Sequence, residues 1–124
     1  MNTFNLGTWK VFDPSHQQKD KWQALKVLEE AAEVVEAAKQ VVITEELQSQ
    51  NLMPKMGCEE TVRRILANEI ADLLQTITNL CDAYNISEAA LSKAKEWCNL
   101  KSTERGMFEP GSRTHMHREE DADD

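Results

Sequence analysis

Glycine and proline are scarce, at four and three in 124 residues, too few for the turns of an all-β or loop-rich fold. The three cysteines, Cys58, Cys81 and Cys98, form no C-x-x-C pair and fall in helix-like sequence. They read as reduced, small apolar residues of a cytosolic protein, not as a disulfide framework. A zinc site is not expected either, because His115 and His117 sit in a polar tail, where they have no assignable role. No apolar run is long enough to span a bilayer and the N-terminus has no signal-peptide pattern, so the expectation is a cytoplasmic protein with no membrane partner. A P-loop is missing, which disfavours an ATP-driven motor. So is any Ser–His–Asp or Cys–His arrangement, which leaves no covalent nucleophile. With no basic stripe there is no footprint for duplex nucleic acid.

What is present is helix-forming sequence and acid. Charged residues make up 29% of the chain and apolar residues 40%, the balance of a globular protein of one domain. The net charge of −8 owes much to Glu119–Asp124, five of whose six residues are acids; without them 14 basic side chains face 17 acidic ones. The expected domain is 1–111, followed by a disordered acidic tail at 112–124.

The periodicity predicts an all-α fold. From Asp20, the residues Trp22, Leu25, Leu28, Ala32 and Val35 recur on one helix face. This helix ends before the segment from Asn51 to Gly57, which contains Pro54. A second helix over about 59–84 carries the apolar seam Val62, Leu66, Ile70, Leu73, Ile77, Leu80 and Tyr84, and Asn85 ends it. Ser87 is a fitting N-cap for a third helix, to about Leu100; Gly106, Pro110 and Gly111 then break regular structure. The first helix is apolar over more than half its circumference, because Val27, Ala31, Val34, Ala38 and Val41 lie off the main stripe. Two long helices and one shorter one leave such a surface uncovered, so the bundle is expected to be completed by self-association, as a dimer or tetramer.

The chemistry lies in two acidic pairs. Glu30 and Glu33 stand at i, i+3 on the first helix, and Glu69 and Asp72 at the same spacing on the second. Each pair points from one helix face. A lone E-x-x-E is usually a solvated surface. Two such pairs on consecutive helices can converge, and four converging carboxylates require a cation; hard oxygen ligands select magnesium or manganese over zinc. Thr76 and Asn79 continue the line of Glu69 and Asp72, giving a polar stripe beside the apolar seam that suits the lining of a cleft.

The segments K-V-L-E-E-A-A-E-V-V-E-A-A, at residues 26–38, and E-I-A-D-L-L, at 69–74, resemble the MazG-like, all-α nucleoside triphosphate pyrophosphohydrolases. That superfamily also includes the dimeric dUTPases, the dCTP pyrophosphatases and the phosphoribosyl-ATP pyrophosphohydrolases of histidine synthesis. The resemblance covers about residues 20–106. It implies that Glu30, Glu33, Glu69 and Asp72 hold magnesium, or manganese in its place, and are the catalytic acids. The stretch 85–99 is similar to the family segment ending in K-x-x-x-N, which falls on Lys95 and Asn99, with Arg105 following; these three are implied as phosphate contacts. Lys93 is a weaker candidate, and Glu29 and Glu36 would act behind the ligands or lie on the surface. Thr76 stands where some members carry an aromatic residue, and the 35 residues between Glu33 and Glu69 exceed the spacing of compact members. Trp9 and His16 are candidates for enclosing the base, whereas Trp22 continues the apolar stripe and is assigned to the core.

The expected activity is hydrolysis of a nucleoside triphosphate, most simply a dNTP, to the monophosphate and pyrophosphate, in nucleotide-pool housecleaning. Two alternatives stand beside it. A non-catalytic helical oligomer would account for the apolar first helix and the acidic face, but not for the polar stripe. Phosphoribosyl-ATP hydrolysis keeps the chemistry and changes the substrate.

Overall fold

Three α-helices, each with a chemically evident start or stop, dominate a computed structural model that describes residues 3–17, 19–52 and 57–109. The expected Pro54 break, the acidic tail, His115 and His117 lie outside the described residues. Helix α1 spans Lys21–Ser49 and is capped by Asp20, whose side chain accepts from the Trp22 amide. It ends where Asn51 takes a positive φ of 59°, with the Leu52 amide donating back to the Leu47 carbonyl at 2.9 Å. This is a Schellman closure with Asn in the glycine position. Helix α2 spans Cys58–Ala83, and Asn85, again at φ 59°, follows its last turn. Helix α3 spans Glu88–Glu104; the Ser87 hydroxyl accepts from the Ala90 amide, as its N-cap position predicts. The helix runs one turn beyond the expected Leu100, to a Schellman closure at Gly106, φ 71°, where the Met107 amide reaches the Ser102 carbonyl. No strand occurs among the described residues, and none of their helices is long and apolar enough to cross a membrane.

The chain divides into two compact units, Thr8–Asn85 and Met1–Gly7 with Ile86–Asp124. In the first, α1 and α2 lie side by side and antiparallel: Arg63 pairs with Glu45 near one end, and the Tyr84 hydroxyl donates to the Asp20 carbonyl at the other, 2.9 Å away. In the second, α3 presents exposed residues along nearly its whole length, Leu91, Trp97 and Leu100 among them.

The face on which α1 and α2 meet corrects the sequence reading. The buried residues of α1 are Gln23, Glu30, Ala37, Thr44 and Gln48, and those of α2 are Thr76, Asn79 and Ala83. The first four on α1 are seven residues apart, a heptad stripe of small and polar side chains. The expected apolar stripe is exposed instead: Trp22 at 60%, Leu28 at 65% and Val35 at 57%. At 100° per residue, Leu28 and Glu30 are about 160° apart on the helix, so the aliphatic face is nearly opposite the seam. Val27, Ala31, Val34, Ala38 and Val41 are the half-buried flanks between them. On α2 the apolar seam is half-buried at best, with Ile70, Ile77 and Tyr84 exposed. Periodicity located the apolar faces correctly, but a two-helix layer covers only one side of each helix.

Candidate functional site

Four buried residues of the seam, Gln23, Glu30, Thr76 and Asn79, line a cleft. Antiparallel packing sets Glu30 and Glu33 of α1 opposite Glu69 and Asp72 of α2. Carboxylate oxygens of Glu30, Glu33 and Glu69 lie within 4.8 Å of one another. Asp72 is outside this group, but lines the same cleft as Glu30. Glu30 is buried and Glu69 half-buried, and the Oε1 atom of each is shielded from solvent without any hydrogen-bond partner. A buried carboxylate oxygen with no donor is costly, and a hard divalent cation is the partner that oxygen donors in this arrangement fit.

The electrostatics of the group follow from its crowding. Glu33 is held above the usual carboxylate pKa, first by its hydrogen bond to the Glu69 carboxyl, then by desolvation and by the charges of Glu69 and Glu29, with Lys26 acting in the opposite sense. Carboxyls this close resist losing the proton between them, which is the sense of the shift. Lys26 is the nearest positive charge: its Nζ lies 3.2 Å from Glu29 and 3.2 Å from Glu30. Its amine pKa is raised, by Glu29 foremost and by Glu30 second. Glu36 forms an exposed pair with Lys39 at 3.2 Å.

Two clefts flank the carboxylates. The larger, about 510 Å³, is walled by Phe12, His16 and Trp22 and carries Lys26, Glu30, Asp72, Gln75, Thr76 and Asn79. It is within the size range of small-molecule sites. The smaller, about 370 Å³, contains Glu33, Glu36, Gln40 and Glu69. Of the aromatic wall, Trp22 belongs to the first turn of α1, and Phe12 and His16 to the segment before it, which is stapled to α2 through side chains. Gln75 Nε2 donates to the Lys10 carbonyl at 2.7 Å, the Phe12 amide donates to Asn79 Oδ1 at 2.9 Å, and Gln17 Nε2 donates to the Phe12 carbonyl and to Asp82. Asp13 and Pro14 then start a short 3-10 helix, Pro14–His16, that sets His16 at the cleft.

The structure therefore gathers Glu30, Asp72, Thr76, Asn79 and His16 of the expected site residues around one cleft, while Glu33 and Glu69 line the adjoining smaller one and meet Glu30 in the carboxylate cluster. Trp9 is half-buried and is not among that cleft's lining residues, whereas Trp22, expected in the core, is. Lys95 and Asn99 are exposed on α3 and line a groove of that helix with Leu91 and Cys98; Arg105 is its exposed C-cap. Lys93 is exposed on the same helix. Sequence reasoning passed over Phe12, Gln23, Lys26 and Gln75. Gln23 and Lys26 lie seven and four residues before Glu30, so the helical repeat projected backward from the motif would have found them; nothing in the sequence marked Phe12.

Compared with known proteins, the chain matches no family model, no curated protein and no solved structure.

Proposed function

We propose that the chain is a magnesium-dependent nucleotide pyrophosphohydrolase, acting on a nucleoside triphosphate to release pyrophosphate. The observation that carries this reading is the pair of buried, partnerless oxygens, Glu30 Oε1 and Glu69 Oε1, within a three-carboxylate cluster whose Glu30 also lines the aromatic-walled cleft. The resemblance of 26–38 and 69–74 to MazG-like enzymes supports it. Glu30, Glu33 and Glu69 would hold magnesium, or manganese, with Asp72 completing the set from the cleft side. The ion supplies charge neutralisation of the phosphates and activation of a water.

The remaining work falls to the chain. Phe12, His16 and Trp22 enclose the nucleoside and exclude water, and Lys26 is positioned to offset phosphate charge when released from Glu30. One of the four carboxylates accepts the water's proton. The resemblance also assigns phosphate contacts to Lys95, Asn99 and Arg105, and the proposal does not rest on them.

The exposed Leu28, Val35 and Val42, at heptad spacing on α1, support self-association as part of the same reading, a second copy covering that face. The same face is the one observation favouring the rival, a non-catalytic helical interaction protein. The experiment that separates them is pyrophosphate release from a panel of NTPs and dNTPs with magnesium, using wild type and Glu69→Ala. Release that disappears in the variant establishes the hydrolase. No release, together with no thermal shift on adding magnesium, sinks it and leaves the interaction protein.

A further inference from the structure

Resting on the reading of the cleft as a nucleotide site, we propose that it selects bases with a keto oxygen on the distal edge beside a ring N–H over bases with an amine there. The favoured class comprises the 4-keto pyrimidines and 6-keto purines, and the disfavoured class cytosine and adenine.

The main chain fixes the orientation of two side-chain amides, Gln75 and Asn79. The Lys10 carbonyl accepts only, so the Gln75 atom at 2.7 Å from it is the nitrogen. The Phe12 amide donates only, so the Asn79 atom at 2.9 Å from it is the oxygen. Gln75 Nε2 also donates to that oxygen, at 3.2 Å. Asn79 Oδ1 is thereby occupied twice, and flipping the amide would set two N–H groups against each other. Its Nδ2 is left as the group presented to the cleft, and no described residue accepts from it. Asn79 is only 5% exposed and lines that cleft, where a ligand acceptor can take the place of water on this N–H. Thr76 has the converse character. Its hydroxyl proton goes to the Asp72 carbonyl at 2.9 Å, so toward the cleft Thr76 Oγ1 offers lone pairs alone.

Order along the helix turns this donor and acceptor into a selection. With phosphates at the carboxylates, Asp72, Thr76 and Asn79 meet the nucleotide in sequence. Asn79 lies about 10 Å along the axis from Asp72, seven residues at 1.5 Å each, level with the distal edge of the base. A keto base places its oxygen against the Asn79 donor and its ring N–H against the Thr76 acceptor. Cytosine and adenine invert both: an amine meets the Asn79 donor, and a bare ring nitrogen meets the Thr76 lone pairs. Unpaired polar groups in a buried site are what give a hydrogen-bonding pocket its discrimination.

The test uses the full chain with magnesium and two pairs of substrates that differ chiefly in this group, dUTP against dCTP and dITP against dATP. Pyrophosphate release is read as kcat/KM, and binding of the corresponding α,β-imido analogues is read separately. The expected result is a preference of at least tenfold for the keto member of each pair in either readout. Asn79→Asp keeps the oxygen that anchors Phe12 and removes the donor, so the preference collapses or reverses. Thr76→Val lowers it as well. A residue that merely held the loop would change both members of a pair equally. Hydrolysis without keto preference, or a preference untouched by Asn79→Asp, overturns the base assignment and leaves the hydrolase standing. Selective binding without hydrolysis supports the base assignment and rejects the hydrolase. Neither binding nor hydrolysis of any nucleotide rejects both.

Discussion

Replacing Glu69 by glutamine should make the metal-free protein more stable and its response to magnesium smaller, and the combination is the sharpest test of the carboxylate cluster. Glu30 and Glu69 have oxygens within 4.8 Å. Two unit charges at that distance repel by about 3.5 kcal/mol at an effective dielectric of about 20 and by about 0.9 kcal/mol in bulk water. Glu30 is buried and Glu69 half-buried, so relief of about 1–3 kcal/mol is expected at pH 8. Glutamine also brings an N–H that can reach the orphaned Glu30 Oε1. For a chain of this length, about 4 °C per kcal/mol gives a rise in Tm of about 4–12 °C without metal. Wild type should gain about 2.7 kcal/mol at a magnesium concentration a hundredfold above its Kd, whereas Glu69→Gln gains little. Differential scanning calorimetry in EDTA and in magnesium reads both. A variant less stable than wild type in EDTA, or shifted equally by magnesium, would refute the reasoning: the first means Glu69 is already satisfied, the second that the ion binds elsewhere.

Three further outcomes are expected. Lys26→Met removes a cation that shares Glu30; since Lys26 is half exposed, the gain in magnesium affinity should be modest, about two- to fivefold, as read by calorimetric titration. Glu33 has a raised pKa through Glu69, so its contribution to metal-free stability is present below the usual value of 4.5 and is lost as pH rises through the raised one. The stability of wild type relative to Glu33→Gln should therefore fall with rising pH across that window in EDTA, and flat behaviour in urea titrations would count against the shared proton. Finally, Leu28→Glu combined with Val42→Glu should shift the protein toward monomer in sedimentation velocity with its helical circular dichroism retained; an unchanged mass would show that this face of α1 is not where copies meet.

The helices were legible because their signals are local. Asp20 and Ser87 cap as their side chains dictate, and Asn85 and Gly106 close helices by the left-handed conformation that Asn and Gly adopt most readily. The pairing of Glu30 and Glu33 with Glu69 was legible for a related reason: two i, i+3 acid pairs on consecutive antiparallel helices have few ways to avoid each other. The aromatic wall was not legible. Phe12 and His16 reach the cleft through Gln75, Asn79 and Gln17, hydrogen bonds that span more than 60 positions in two of the three cases, and no periodicity records a contact of that range.

The misplacement of Trp22 and Leu28 has a deeper cause. Apolar spacing reports which face of a helix avoids water, not which partner covers it. Here α2 takes the opposite face, which buries Gln23, Glu30, Thr44 and Gln48 on α1 and Thr76 and Asn79 on α2. A seam of that composition contributes little hydrophobic energy, and it buries carboxylates with unpartnered oxygens. On stability alone the pairing of α1 with α2 is a poor choice, and the more apolar face should have won. The arrangement is consistent if two partners share the helix: a ligand-binding contact on the polar side, which a cation completes, and a stabilising contact on the aliphatic side, which a second copy completes. Under that proposal the two losses are linked. Disrupting the aliphatic contact should weaken magnesium binding even though Leu28 and Val42 touch no carboxylate, because the polar seam would then have to hold the helices together unaided. Measuring the magnesium affinity of the Leu28→Glu, Val42→Glu protein decides it: an affinity equal to wild type in a monomer would show that the site stands without the partner, and that the polar seam is more stable than its composition allows.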